Sequence, residues 1–228
     1  MISPELQAIF RRLVQYLAGP LARSPLTPNT VTIIGLLLNI LTGAVLAFGH
    51  FILGGALVLF AGAFDMLDGA LARARGGGSQ FGAFFDSTLD RLSEGVIYLG
   101  LLAWFSLHQD TDTVIIIYLV ILGSLLISYA RARAEGLGLE CKVGLLARPE
   151  RVILLGGALL LDGSRIGSLP AGDILRVVLG GLTVLTFFTL AQRIWHIWRV
   201  TLPQAEQRPR GAFALTVARW QSRRARHS

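Results

Sequence analysis

Six runs of apolar residues, at 31–47, 51–64, 94–106, 114–130, 152–161 and 174–191, follow one another with only short polar stretches between them. One soluble core cannot absorb them. Of the 228 residues, 53% are hydrophobic and 15% charged, where an average soluble domain carries roughly a quarter charged residues. A bilayer is the solvent that fits such a chain. Several runs fall short of the roughly 18–20 residues a helix needs to span alone. Each is therefore expected to continue into its polar flanks, which places those polar residues inside or at the edge of the membrane. The expected fold is an all-α integral membrane protein with six transmembrane helices.

Ahead of the first run, Leu6, Ile9, Phe10, Leu13, Tyr16 and Leu17 recur at helical spacing, with Gln7, Arg11, Arg12 and Gln15 elsewhere around the wheel. This pattern fits an amphipathic helix lying in the membrane interface, and also one packed on protein. It lacks the charged start, apolar middle and cleavage site of a secretory signal, so the segment is expected to be retained. The organisation read from the sequence is a juxtamembrane helix over 1–24, a membrane domain over 25–202 and a basic tail over 203–228, without repeats or a second domain. A single cysteine, Cys141, excludes an intrachain disulfide and a thiolate metal cluster, and the histidines at 50, 108, 196 and 227 have no ligand spacing.

The net charge of +7 comes mostly from arginine. With the N-terminus inside, Arg11, Arg12, Arg23, Arg73, Arg75, Arg131, Arg133, Lys142, Arg148, Arg151 and the tail after Arg193 fall on one side, whereas the opposite loops contain only Arg165. The positive-inside rule then sets both termini in the cytoplasm of a multi-pass plasma-membrane protein. Nucleic acid is excluded as a partner, because these arginines hug helix ends without interleaved stacking aromatics. Near a membrane, the tail's arginines suit contact with anionic headgroups.

Four carboxylates lie where carboxylates are expensive. Asp65 and Asp68 are three residues apart and Asp86 and Asp90 four apart, so each pair shares a helix face. The second and third helices are expected to be antiparallel neighbours joined at Gly76-Gly77-Gly78, with Asp65 and Asp90 the deeper of each pair. Four such charges would repel one another into protonation without a compensating cation. Oxygen-only ligands point to Mg²⁺, Mn²⁺ or Ca²⁺, and two pairs could hold two ions across a diphosphate. Gly69, Ala70, Ala72 and Gly82 leave low walls beside these aspartates, and Arg73 adds a positive charge for phosphate.

Written out, the segment is D65-x2-D68-G69-x2-A72-R73-x8-G82-x3-D86-x3-D90, a set of positions with a chance probability on the order of 10⁻¹⁰ at average residue usage. At every one of them the chain resembles the CDP-alcohol phosphotransferases. The resemblance implies that Asp65, Asp68 and Asp86 are the main ligands of Mg²⁺ or Mn²⁺, as two ions, at the diphosphate of CDP-diacylglycerol. It implies that Asp90 is the general base, also touching metal, which deprotonates the acceptor hydroxyl as CMP leaves. Gly69, Ala72, Arg73, Ser79 and Gly82 would hold the cytidine diphosphate, with help from Pro28, Asn29, Thr30 and Val31 in a stretch similar to the family's P-N-x-V-T. That stretch would also serve simply as a helix start. A homodimer is implied as well.

The acceptor calls for a second set of residues. Arg131 and Arg133 end the fourth helix, Arg148 and Arg151 open the fifth, and Arg193 lies near the cytoplasmic end of the sixth. Guanidinium groups bind phosphate oxygens through paired donors, so a phosphorylated alcohol fits. The stretches RARGGGSQFGAFFDSTLDR and SYARARAEGLGLECKVGLLARPERVILL are similar to the phosphatidylinositol-phosphate synthase branch. That similarity implies inositol phosphate as acceptor, with Arg131, Arg151 and Arg193 on its phosphate and arginine standing at 131 where the branch carries lysine. Glycerol 3-phosphate is the alternative. A carboxylate-lined cation transporter is the alternative from another class; it is disfavoured because ionisable residues are expected to cluster at the cytoplasmic end, with apolar outer halves.

Overall fold

In a computed structural model the chain is described over residues 27–74, 79–163 and 172–206, with side chains described over 27–65, 79–163 and 172–202. The expected interfacial helix over 1–24, the Gly76–Gly78 turn and the tail beyond 206 lie outside them. Among the described residues the protein is all-helical: α1 (Pro28–Ala47), α2 (Phe51–Ala74), α3 (Gln80–Leu107), α4 (Thr111–Gly136), α5 (Arg148–Gly163) and α6 (Asp173–Glu206). Each contains one of the six apolar runs and extends into its polar flanks, as the lengths of those runs require.

Local chemistry sets the helix ends. Thr27 caps α1, its hydroxyl accepting from the Thr30 amide at 3.2 Å, with Pro28 in the first turn where no amide is needed. Ser79 caps α3 by accepting from the Gly82 amide at 2.9 Å. Asp110 caps α4, accepting from the Thr113 amide and hydroxyl at 3.2 and 2.8 Å. The α1–α2 turn needs Gly49 twice over. Its φ is +78°, and an added Cβ would lie 2.4 Å from the Trp104 ring.

Packing runs as a ring: α1 on α2, α2 on α5, α5 on α6, α6 on α4, α4 on α3, and α3 back on α1. The core between them includes Leu46, Val58, Tyr98, Leu101, Ile117, Leu159, Leu175 and Leu179. The two aspartate-bearing helices, expected to be packed neighbours, are not among these packing pairs. Instead α2 and α3 flank α1, one on either side.

Three helices, α1, α4 and α6 from Asp173 to Leu202, are long and apolar enough to cross a membrane. The others carry the charges that the site requires, such as Asp65 on α2, Asp86, Asp90 and Glu94 on α3, and Arg148 and Arg151 on α5; within the described residues α2 is apolar over Phe51–Asp65. The end of the ring remote from Asp65 is less apolar than the sequence suggested. There Arg176 donates to Asp110 Oδ2 at 2.5 Å and to Asp173 Oδ1 at 3.1 Å, while buried Asp162 accepts from the Gly172 amide at 3.0 and 2.9 Å. Burial raises the Asp110 carboxyl, but the bonds from Arg176 and Thr113 outweigh it and hold the group below the usual carboxylate range. These charges pair with each other and cap helix starts, so they close this end of the ring.

Candidate active site

Asp65 sits on α2 against α1, and Gly35 makes the space for it. A Cβ on Gly35 would lie 2.7 Å from Asp65 Oδ1. Across the ring, α3 presents Asp90, and α5 brings its first residue, Arg148, between the two. Arg148 Nη2 donates to Asp65 Oδ2 at 2.9 Å, and Nη1 donates to Asp90 Oδ1 at 2.6 Å. Asp65 and Asp90, the pair expected to lie deeper, thus share one cation, and the charge of Asp86 is near enough to act on both. Asp68 belongs to α2, but its side chain lies outside those described. Among the described residues no three acidic, histidine or cysteine side chains form a metal-binding group.

The sequence reading missed Gly35, although its position in the first apolar run, with Asn39 one turn on, marks a small-residue face. Gly35→Ala is expected to keep the fold, because the clashing atom is the end of a side chain and alanine is the better helix former. It is expected to lower turnover by on the order of 10²-fold through displacement of the carboxylate. Thermal unfolding and CMP release measured on one preparation check this; unchanged turnover would remove Asp65 from the chemistry.

The expected nucleotide residues meet at the starts of α1 and α3. A Cβ on Gly82 would meet Ser79 Oγ at 3.1 Å and Asn29 Oδ1 at 3.4 Å, so Asn29, Ser79 and Gly82 line one place. Thr30 bonds with Thr27, Oγ1 to Oγ1, at 2.8 Å, and Val31 is buried. Pro28, Asn29 and Thr30 therefore also make the helix start that the sequence allowed for. Gly69, Ala72 and Arg73 belong to the last turns of α2, with side chains outside those described.

The arginines gather around a cavity of about 110 Å³ that has Asp90 in its wall and is also lined by Arg131, Arg148, Arg151 and Arg193. Arg133 is exposed and does not line it. Each lining arginine already has a partner. Arg131 pairs with Glu135 at 2.8 Å and Arg151 with Glu94. Arg193 donates from Nε to Val143 O at 3.0 Å and from Nη1 to Ile127 O at 2.6 Å, pinning the 137–147 connection. Gln192 Oε1 and Thr189 Oγ1 add to this by accepting from the Leu145 and Leu146 amides. Helix α6 thereby fixes where α5 begins, and with it Arg148. Glu94, overlooked in the sequence, lies one turn beyond Asp90 on the same face of α3; that spacing alone could have found it.

The chain matches the CDP-alcohol phosphatidyltransferase family over residues 25–192. It is 41% identical over 196 residues to the phosphatidylinositol phosphate synthase of Mycobacterium tuberculosis (strain ATCC 25618 / H37Rv), covering 84% of this chain and 88% of that one. To the archaetidylinositol phosphate synthase of Methanothermobacter thermautotrophicus it is 38% identical over 191 residues, with coverage of 83% and 93%. The crystal structure of Mycobacterium tuberculosis phosphatidylinositol phosphate synthase with CDP-DAG bound superposes with a TM-score of 0.74 at 38% identity, covering 82% of this chain and 94% of that one. A second structure of that enzyme, in complex with manganese and citrate, gives a TM-score of 0.74 at 37% identity, over 81% and 88% of the two chains. The protein is therefore an enzyme of the CDP-alcohol phosphatidyltransferase family.

Proposed function

We propose that the protein transfers the phosphatidyl group of CDP-diacylglycerol to a hydroxyl of inositol phosphate, giving phosphatidylinositol phosphate and CMP. The observation that carries this reading is the cavity whose wall holds Asp90 together with Arg131, Arg148, Arg151 and Arg193. A phosphorylated acceptor held there by its phosphate presents a hydroxyl to the carboxylate. Asp90 takes the proton of that hydroxyl, its oxygen bonds to the β-phosphorus, and the bond from that phosphorus to the bridging oxygen breaks with its electron pair on CMP. Arg148 holds Asp90 in place through Oδ1. Asn29, Thr30, Ser79 and Gly82, with Gly69, Ala72 and Arg73, bind the nucleotide end. The relatives' names and the CDP-DAG-bound neighbour support the same donor and acceptor.

The donor set suits a hard divalent ion: it is all oxygen, and Asp65 and Asp90 are already arranged about a cation in Arg148. Asp65, Asp68, Asp86 and Asp90 would hold Mg²⁺ or Mn²⁺, as two ions, and these would supply positive charge to the diphosphate and the leaving group. The manganese-bound neighbour supports this.

All six helices cross the plasma membrane in this reading, within a membrane domain over 25–202 between the segment 1–24 and the basic tail. Support comes from apolar side chains left exposed around the ring, including Leu37, Leu99, Ile115, Val177 and Val184. The arginine-rich end faces the cytoplasm, and two copies form a homodimer, as the family resemblance implies. Mass spectrometry of the lipid made from CDP-diacylglycerol tests the acceptor. Phosphatidylinositol phosphate is expected from inositol phosphate. Faster formation of phosphatidylglycerol phosphate from glycerol 3-phosphate would transfer the assignment to that alternative.

A further inference from the structure

We infer that Glu94 is the positioning residue that makes the acceptor cavity select for phosphate, by holding the Arg151 guanidinium in one orientation; this rests on the reading of that cavity as the acceptor site. Arg151 Nε donates to Glu94 Oε1 at 2.8 Å and Nη2 to Oε2 at 2.9 Å. The pair is a two-bond fork, the geometry that fixes both plane and direction of a guanidinium. It is also well shielded, with side chains only 4% and 13% exposed. With Nε and one N–H of Nη2 engaged by Glu94, Arg151 keeps the N–H groups of Nη1 and the second N–H of Nη2 for a ligand. Tyr98, wholly buried, lines a small cavity together with both partners.

A carboxylate in the wall of an anion site looks counterproductive, and that is what makes its role measurable. With Arg91, the cavity's lining carries five arginines against two carboxylates, Asp90 and Glu94, so it attracts a phosphate dianion even with Glu94 charged. If charge alone mattered, Glu94→Gln would tighten phosphate binding. If orientation matters, the same change weakens it, because one acceptor oxygen of the fork becomes an amide donor that opposes Arg151.

The experiment measures inhibition of CMP release by inorganic phosphate, together with KM for inositol phosphate and for CDP-diacylglycerol, in wild type, Glu94→Gln and Glu94→Asp. For Glu94→Gln the inhibition constant and the acceptor KM are expected to rise about tenfold, with kcat and the donor KM within about twofold. Glu94→Asp, which keeps the carboxylate, is expected to recover most of the loss. Unchanged or tighter phosphate binding in Glu94→Gln would overturn the inference, as would equal losses for donor and acceptor or no recovery in Glu94→Asp. Absence of phosphate inhibition in the wild type would instead overturn the acceptor reading beneath it.

Discussion

Asp90→Asn is expected to lower CMP release by about 10²–10⁴-fold, the usual contribution of a positioned general base, while CDP-diacylglycerol and Mn²⁺ still bind. Asparagine keeps the shape of the side chain and a carbonyl oxygen for Arg148 Nη1, whose bond to Asp90 Oδ1 is 2.6 Å long. What it loses is the ability to take a proton. Asp90 is the residue that joins the two halves of the site, since it shares Arg148 with Asp65 on one side and lines the arginine cavity on the other. Donor binding measured by titration and turnover measured by CMP release separate the two roles. Turnover close to wild type would remove the base assignment, and loss of donor binding in step with turnover would make Asp90 chiefly a ligand.

Gly100→Ala is expected to give the largest stability loss of any single methyl addition considered. Its Cβ would lie 2.1 Å from the carbonyl oxygen of Gly43, and a Cβ on Gly43 would lie 2.6 Å from the carbonyl oxygen of Val96. Helices α1 and α3 thus touch backbone to backbone here, as small residues permit in membranes, and no side chain can rotate away to relieve the clash. Overpacking of this kind costs typically 1–3 kcal/mol, or a fall in Tm of roughly 2–12 °C for a chain of this size. The helices would have to separate, moving Asp90 relative to Asp65, so activity should fall with stability. Gly180→Ala is the control, because a Cβ there meets nothing within 4 Å. Equal melting of the two variants in detergent would contradict the close α1–α3 contact.

The helices were legible because hydropathy and polar flanks act locally. Each of the six apolar runs lies in one helix, and Ser79 and Asp110 cap where their side chains allow. The aspartates were legible because a charge in an apolar run demands a reason. How the helices pack was not: the spacing of Asp65, Asp68, Asp86 and Asp90 gives faces, but nothing in it shows that α1 separates α2 from α3. That separation depends on Gly35, Gly43 and Gly100, whose role is the side chain they lack. For the arginines, clustering at helix ends located the cavity yet could not tell Arg133, which stays outside it, from Arg151, which is buried on Glu94. Arg148 read as a phosphate ligand, and its contact with Asp65 and Asp90 comes from residues 83 and 58 positions away in the chain.

The measurement closest to the central claim is CMP release from CDP-diacylglycerol by the purified protein with Mg²⁺, comparing inositol phosphate with free inositol. In the proposed reaction Asp90 would offer a base to either hydroxyl, but only the phosphorylated acceptor would engage the arginines around it. Release with inositol phosphate and little or none with free inositol is the predicted result. Equal rates with the two acceptors would contradict it.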